Sequence, residues 1–104
     1  MIGIDITRLS RFKDVSDEFI CRFLSENEIA EFNLIKDNET LRIKFAAIHW
    51  AIKEALFKAD NSLSDFRKIS ITKVNGKYVF QNFEISTSDE GDLLVAVVLS
   101  TSKE

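Results

Sequence analysis

The sequence predicts an α+β fold in which one long central helix packs on a mostly antiparallel sheet. Three observations carry this. Phe45 to Ala59, FAAIHWAIKEALFKA, has no Gly or Pro and is apolar at helical spacing. Phe45, Ile48 with the adjacent His49, Ile52, Ala55, Leu56 and Ala59 fall on one helical face. The last third alternates as strands around Asn75-Gly76, the strongest short-range hairpin signal in the chain. Strand first, helices next and strands last is the element order of an α+β domain, not of an alternating parallel one.

Taken in order, Ile2, Ile4 and Ile6 alternate with Gly3 and Asp5 and predict a strand. Gly3 inside it marks close approach of another backbone or a ligand. Thr7 to Lys13 reads as a helical turn carrying Arg8, Arg11 and Lys13, and Asp17 to Leu24 continues helically with Phe19, Ile20, Phe23 and Leu24 on one side. Ser25 and Glu28 have the spacing of a capping box, starting a helix with Ile29, Phe32 and Ile35 inward. Lys36 to Glu39 is a connection. The central helix spans about Thr40 to Ala59, capped by Asn38 or Thr40. Asp60 to Ser64 is turn-prone. Strands follow at Lys68 to Val74, Lys77 to Phe80 and Phe83 to Thr87, with a break at Gln81-Asn82 and a turn from Ser88 to Asp92. Leu93 to Ser100 is continuously apolar, which suits an inner strand covered on both faces. Thr101 to Glu104 is polar and expected to fray.

The totals narrow the function. With 104 residues, residues 1–104 form a single domain with one core. A net charge of −3 opposes broad nucleic-acid binding, which needs a basic surface. The single cysteine, Cys21, has no internal disulfide partner and suits a reducing cytoplasm. No signal-peptide pattern opens the chain, and the longest apolar run, Leu93 to Leu99, is too short to span a bilayer. Nine Phe is a high count that can serve a core or a subunit interface.

Two groups of polar residues stand out. Trp50, Glu54 and Lys58 are spaced by four and make a stripe beside the apolar face of the central helix. They read either as a surface pair beside an aromatic or as the edge of a site that holds a metal ion or a phosphate. Asp5 is a carboxylate within a β-branched strand, costly if buried unpaired. It either faces water and the following turn, or it belongs to a site.

IGIDITRLSRF and HWAIKEALFKA, with RFLSENEIAEF between them, resemble in order and spacing the signature segments of holo-acyl-carrier-protein synthases, the small 4′-phosphopantetheinyl transferases. The resemblance covers nearly the whole chain. It implies an α+β fold with a long central helix, a homotrimer with coenzyme A between subunits, and magnesium as cofactor. The implied reaction moves the phosphopantetheine arm from coenzyme A to a serine of acyl carrier protein and releases adenosine 3′,5′-bisphosphate. By position, Asp5 and Glu54 match the family's magnesium ligands. Lys58 matches a lysine near the coenzyme A phosphates, and Arg11 and Arg22, with Arg8 nearby, match basic positions facing the carrier protein. Magnesium takes hard oxygen ligands and relieves repulsion between paired carboxylates. Glu54, directly or through a water, would take the serine proton.

This chain departs from the family pattern in three places. His49-Trp50 replaces Arg-Phe, and ADNSLSDF replaces a Gly-rich loop. Glu84-Ile85-Ser86-Thr87 ends in Thr87 where the family has a histidine that helps hold the adenosine end. Thr87 and His49 are the candidate substrate contacts by position, and for His49, the single histidine, a structural role at the helix edge stands equally open. The missing histidine and glycines also fit a non-catalytic relative that binds coenzyme A or acyl carrier protein without transfer, and a third reading is a purely structural module.

Overall fold

A computed structural model describes residues 1–101; of Thr101 to Glu104, expected to fray, Thr101 is held by its amide and hydroxyl donating to the Asn82 carbonyl, and Ser102 to Glu104 lie outside the described residues. Five strands form one antiparallel sheet in the order β1-β5-β4-β3-β2, with β1 at Ile2–Arg8, β2 at Thr72–Val74, β3 at Lys77–Phe80, β4 at Phe83–Glu90 and β5 at Leu93–Ser100. Three helices lie between β1 and β2: α1 (Asp17–Cys21), α2 (Glu26–Ile35) and α3 (Glu39–Ala59).

α3 is the expected central helix. The Asn38 side chain caps it by accepting from the Leu41 amide at 3.0 Å. Ala46, Ala47, Ala51, Ile52, Ala55 and Leu56 are fully buried, a wider face than the apolar stripe alone marks. Burial of side chains such as Ile52 and Leu56 contributes about 1.5–3 kcal/mol each. The loop that stands where the family has glycines is held by side chains instead. Asp60 accepts from the Ser62 amide at 3.0 Å and hydroxyl at 2.7 Å, and Asn61 donates to the Phe57 carbonyl at 2.8 Å.

Gly3 sets the contact between α3 and β1. A β-carbon there would overlap the Ala55 carbonyl and lie 2.9 Å from the Ala59 amide nitrogen. The backbone approach expected of this glycine is thus α3 itself. β1 turns Gly3, Asp5 and Thr7 toward α3, while Ile2, Ile4 and Ile6 are 65%, 58% and 62% exposed on the other face.

Five expectations change. The helix expected over Asp17 to Leu24 ends at Cys21. Thr7 and Arg8 belong to β1, and only Leu9–Phe12 forms the helical turn, a 3-10 helix. Strand Lys68 to Val74 shortens to β2, because its first half is diverted inward: Phe66–Lys68 is a 3-10 turn, and the Ile71 amide donates to buried Glu28 at 2.6 Å. The turn Ser88 to Asp92 contracts to Gly91-Asp92, with Ser88, Asp89 and Glu90 paired to Val95, Leu94 and Leu93. Their polarity reports an exposed strand end. β5 is an inner strand, but within the chain its two faces differ. Leu94, Ala96 and Val98 are buried beneath the helices, whereas Leu93 and Leu99 are 43% and 49% exposed. The hairpin at Asn75-Gly76 forms with φ of 51° and 81°, as a type I′ turn requires.

Candidate active site

Asp5 and Glu54 are brought together by the Gly3 contact. The Asp5 side chain is 12% exposed and accepts from Lys58 Nζ at 3.1 Å through Oδ1. Its Oδ2 is buried and, among the described residues, has no hydrogen-bond partner. An unsatisfied buried acceptor costs about 1–3 kcal/mol, more when charged, so this oxygen would gain from a further partner. Glu54 is held above the usual carboxylate range, first by burial and then by the Asp5 charge, against the pull of Lys58 and Arg11. The two acids repel each other across the helix–strand seam, and a bound cation would relieve this. Among the described residues no group of three or more His, Cys, Asp and Glu side chains gathers, so two carboxylates are the acidic set.

Arg11 stands beside them. Its guanidinium lies 4.9 Å from the Trp50 ring centroid and 5.7 Å from that of Phe12. Trp50 is in turn set edge-on against Phe23 at 5.2 Å and Phe66 at 6.0 Å. A cleft of 630 Å³ opens next to this corner, lined by Ile6, Thr7, Arg8, Arg11 and Leu93. Thr87 lies in the same cross-strand row as Asp5, both paired to Ala96, which puts them about 10 Å apart at two strand spacings.

Arg22 and His49 lie elsewhere, and Arg8 only lines the cleft. Arg8 ends β1 exposed, on the face of Ile2, Ile4 and Ile6, so Arg8, Arg11 and Lys13 do not project from one short helix. Arg22 is an exposed C-cap of α1. His49 is 4% exposed and stacks on Phe45 at 4.0 Å, about 140° around α3 from Glu54. Burial lowers its proton affinity against the attraction of Glu28. Neutral, it donates Nδ1–H to the Phe45 carbonyl at 2.8 Å, and its Nε2 is 3.9 Å from Glu28 without an ionic bond.

A buried ionic cluster has no signal in the sequence. Lys53 is completely buried, and its Nζ donates to Glu28 at 2.5 Å and to the carbonyls of Phe23 and Phe66 at 2.8 Å each. Three acceptors match the three protons of an ammonium. Burial lowers the Lys53 proton affinity and Glu28 opposes that shift. Glu28 also completes the capping box by accepting from the Ser25 amide at 2.9 Å. This pair ties α2, α3 and the Phe66 segment together behind Trp50.

Residues 1–98 match the family model of the 4′-phosphopantetheinyl transferase superfamily. A holo-[acyl-carrier-protein] synthase of Mycoplasma mobile is 48% identical over 103 residues, covering 99% of this chain and 91% of that one. The one from Mycoplasmopsis pulmonis is 43% identical, covering 94% and 87%. A solved holo-(acyl-carrier-protein) synthase from Bacillus anthracis, in complex with CoA (3′,5′-ADP), superposes with a TM-score of 0.83 at 30% identity, covering 97% and 96% of the two chains. The Helicobacter pylori enzyme in complex with coenzyme A gives 0.72 at 29% identity, covering 96% and 99%. With the family model matched over nearly its whole length, this chain belongs to the 4′-phosphopantetheinyl transferase superfamily.

Proposed function

We propose that this chain is a holo-[acyl-carrier-protein] synthase that transfers the 4′-phosphopantetheine arm of coenzyme A to a serine of acyl carrier protein. The observation that carries the reading is the meeting of Asp5, Glu54 and Lys58 at one corner, with a buried Asp5 oxygen left open. The relatives bearing that name and the coenzyme A complexes among similar structures support it.

The residues fit a magnesium ion, because Asp5 Oδ2 and the Glu54 carboxylate are hard oxygen donors and the first lacks a partner among the described residues. Bound there, magnesium would supply positive charge to the pyrophosphate and to the leaving group. Lys58, half-exposed at the mouth of the site, offers a further point charge to a phosphate. Glu54, more basic than an ordinary carboxylate, is suited to take the serine proton directly or through a water. The serine oxygen then bonds to the phosphorus of the phosphopantetheine half. The pyrophosphate P–O bond breaks, and adenosine 3′,5′-bisphosphate leaves with the bonding pair.

The working form in this reading is a cytoplasmic homotrimer. Ile2, Ile4, Ile6, Leu93 and Leu99 expose one apolar sheet face that a second copy of the chain would cover.

Mass spectrometry of apo acyl carrier protein incubated with the chain, coenzyme A and magnesium tests the reaction. The carrier should gain one phosphopantetheine. An unmodified carrier that nevertheless binds the chain would favour a non-catalytic binder.

A further inference from the structure

We infer that Trp50 is a positioning residue that holds Arg11, whose position the family resemblance turns toward the carrier protein, as a pre-set group for a carboxylate of that partner. This rests on the proposed function for the identity of the partner.

Arg11 is fixed from both sides. Its guanidinium lies over the Trp50 ring at 4.9 Å. The preceding residue is clamped by Asp92, whose carboxylate accepts from the Ser10 amide at 2.9 Å and hydroxyl at 2.6 Å. The Leu9 amide donates to the Asp92 carbonyl at 2.8 Å. The β4–β5 turn therefore anchors the backbone of the 3-10 turn, and α3 supports the tip of the side chain. Trp50 is itself packed against the core. Phe12, Phe23 and Phe66 surround it at 6.4, 5.2 and 6.0 Å, and buried Lys53 holds the backbone carbonyls of the last two.

Other basic groups of the N-terminal segment differ. All four, Arg11 included, are exposed, but among the described residues Arg8, Lys13 and Arg22 lie over no aromatic ring. A stacked guanidinium keeps its N–H edge free in the ring plane, so it presents a planar fork to a carboxylate. A fork held in place loses less freedom on binding than a swinging side chain. Glu54 lies one turn along α3 from Trp50 and feels the Arg11 charge, so the docking group and the reaction corner share one support.

The test is a cycle of wild type, Arg11→Ala, Trp50→Leu and the double variant. Each is read by kcat and KM for carrier protein and for coenzyme A, and by affinity for fluorescein-labelled apo acyl carrier protein. Trp50→Leu should weaken carrier binding and raise its KM about fivefold, the scale of one cation–π support, with the KM for coenzyme A unmoved. The double variant should bind no worse than Arg11→Ala alone, and Trp50→Phe should recover most of the loss. Arg11→Lys, which keeps the charge without the planar fork, should lose the same factor as Trp50→Leu and takes its place if that variant does not fold. Effects of the two single changes that multiply, or a loss confined to coenzyme A use, would overturn the inference. If the wild type binds the carrier without transferring the arm, the proposed function falls, and the affinity cycle decides this inference alone. A wild type that does not bind the carrier overturns it.

Discussion

Gly3 of the first strand lies so close to Ala55 of the central helix that no side chain fits between them. Asp5 follows two residues later on the same face, and Glu54 immediately precedes Ala55. The distance between the two acids is thus set by a missing methyl group. Gly3→Ala should push helix and strand apart. The variant should lose about 1–3 kcal/mol of stability in urea unfolding, as for overpacking generally. It should also lose transfer activity by a larger factor than Ala replacements elsewhere in β1. Full activity in a folded Gly3→Ala protein would mean that the seam does not set the site.

Asp5→Asn and Glu54→Gln address the acids directly. Each keeps the shape and removes a charge from a repelling pair, so thermal stability without metal should hold or rise. Transfer should be abolished, and magnesium binding by calorimetry should weaken in both, with the far-UV circular dichroism nearly unchanged. Retained activity in either variant would remove that residue from the site.

The sequence discloses the helix, the hairpin and the capping box because each has a local cause: a period, a φ requirement or a reciprocal cap. Asp5 stands out for a local reason too, as an acid among β-branched residues. Lys53 does not. A Lys between Ile52 and Glu54 looks like a helix surface residue, and only the fold brings Glu28 and two carbonyls to it. Glu28 gives half a signal, since the capping box needs its first oxygen interaction but says nothing of Ile71 or Lys53. The same gap hides the shortened strand before Val74, whose backbone is diverted to this buried carboxylate. Leu93 to Leu99 misleads differently. A continuous apolar run is the same whether a helix covers the second face or that face is left apolar and open.

His49 carries a pH dependence whose sign follows from its burial. Its folded-state pKa lies below the ordinary 6.5, chiefly through desolvation, with Glu28 opposing and Lys53 assisting. The unfolded chain therefore binds the proton first as pH falls. This contribution to stability is complete above about pH 7 and is lost through 6.5 toward the lower folded value, at up to about 1.4 kcal/mol per pH unit. Glu54 runs the other way, because its raised pKa makes the folded state take up the proton first. In a Glu54→Gln background, urea unfolding between pH 7 and 5 should show falling stability that His49→Phe flattens. Equal slopes with and without His49 would mean the ring is protonated within the fold.

Ile4 offers the sharpest test of assembly. It is 58% exposed at the middle of β1, paired to Val97, with Ile2 and Ile6 beside it on the same face. If that face meets solvent, Ile4→Lys should change stability by no more than about 0.5 kcal/mol and leave sedimentation untouched. If copies of the chain cover it, the lysine is buried without a partner and association should fail. The wild type should sediment at about three times the 11.9 kDa chain mass, and Ile4→Lys at the mass of a single chain. Transfer should fall with the assembly, because the cleft beside Arg8 and Arg11 is lined by Ile6 and Leu93 of the same apolar surface. An active wild-type monomer would show that one chain holds the complete site. An Ile4→Lys protein that still assembled would place the subunit contact on another face.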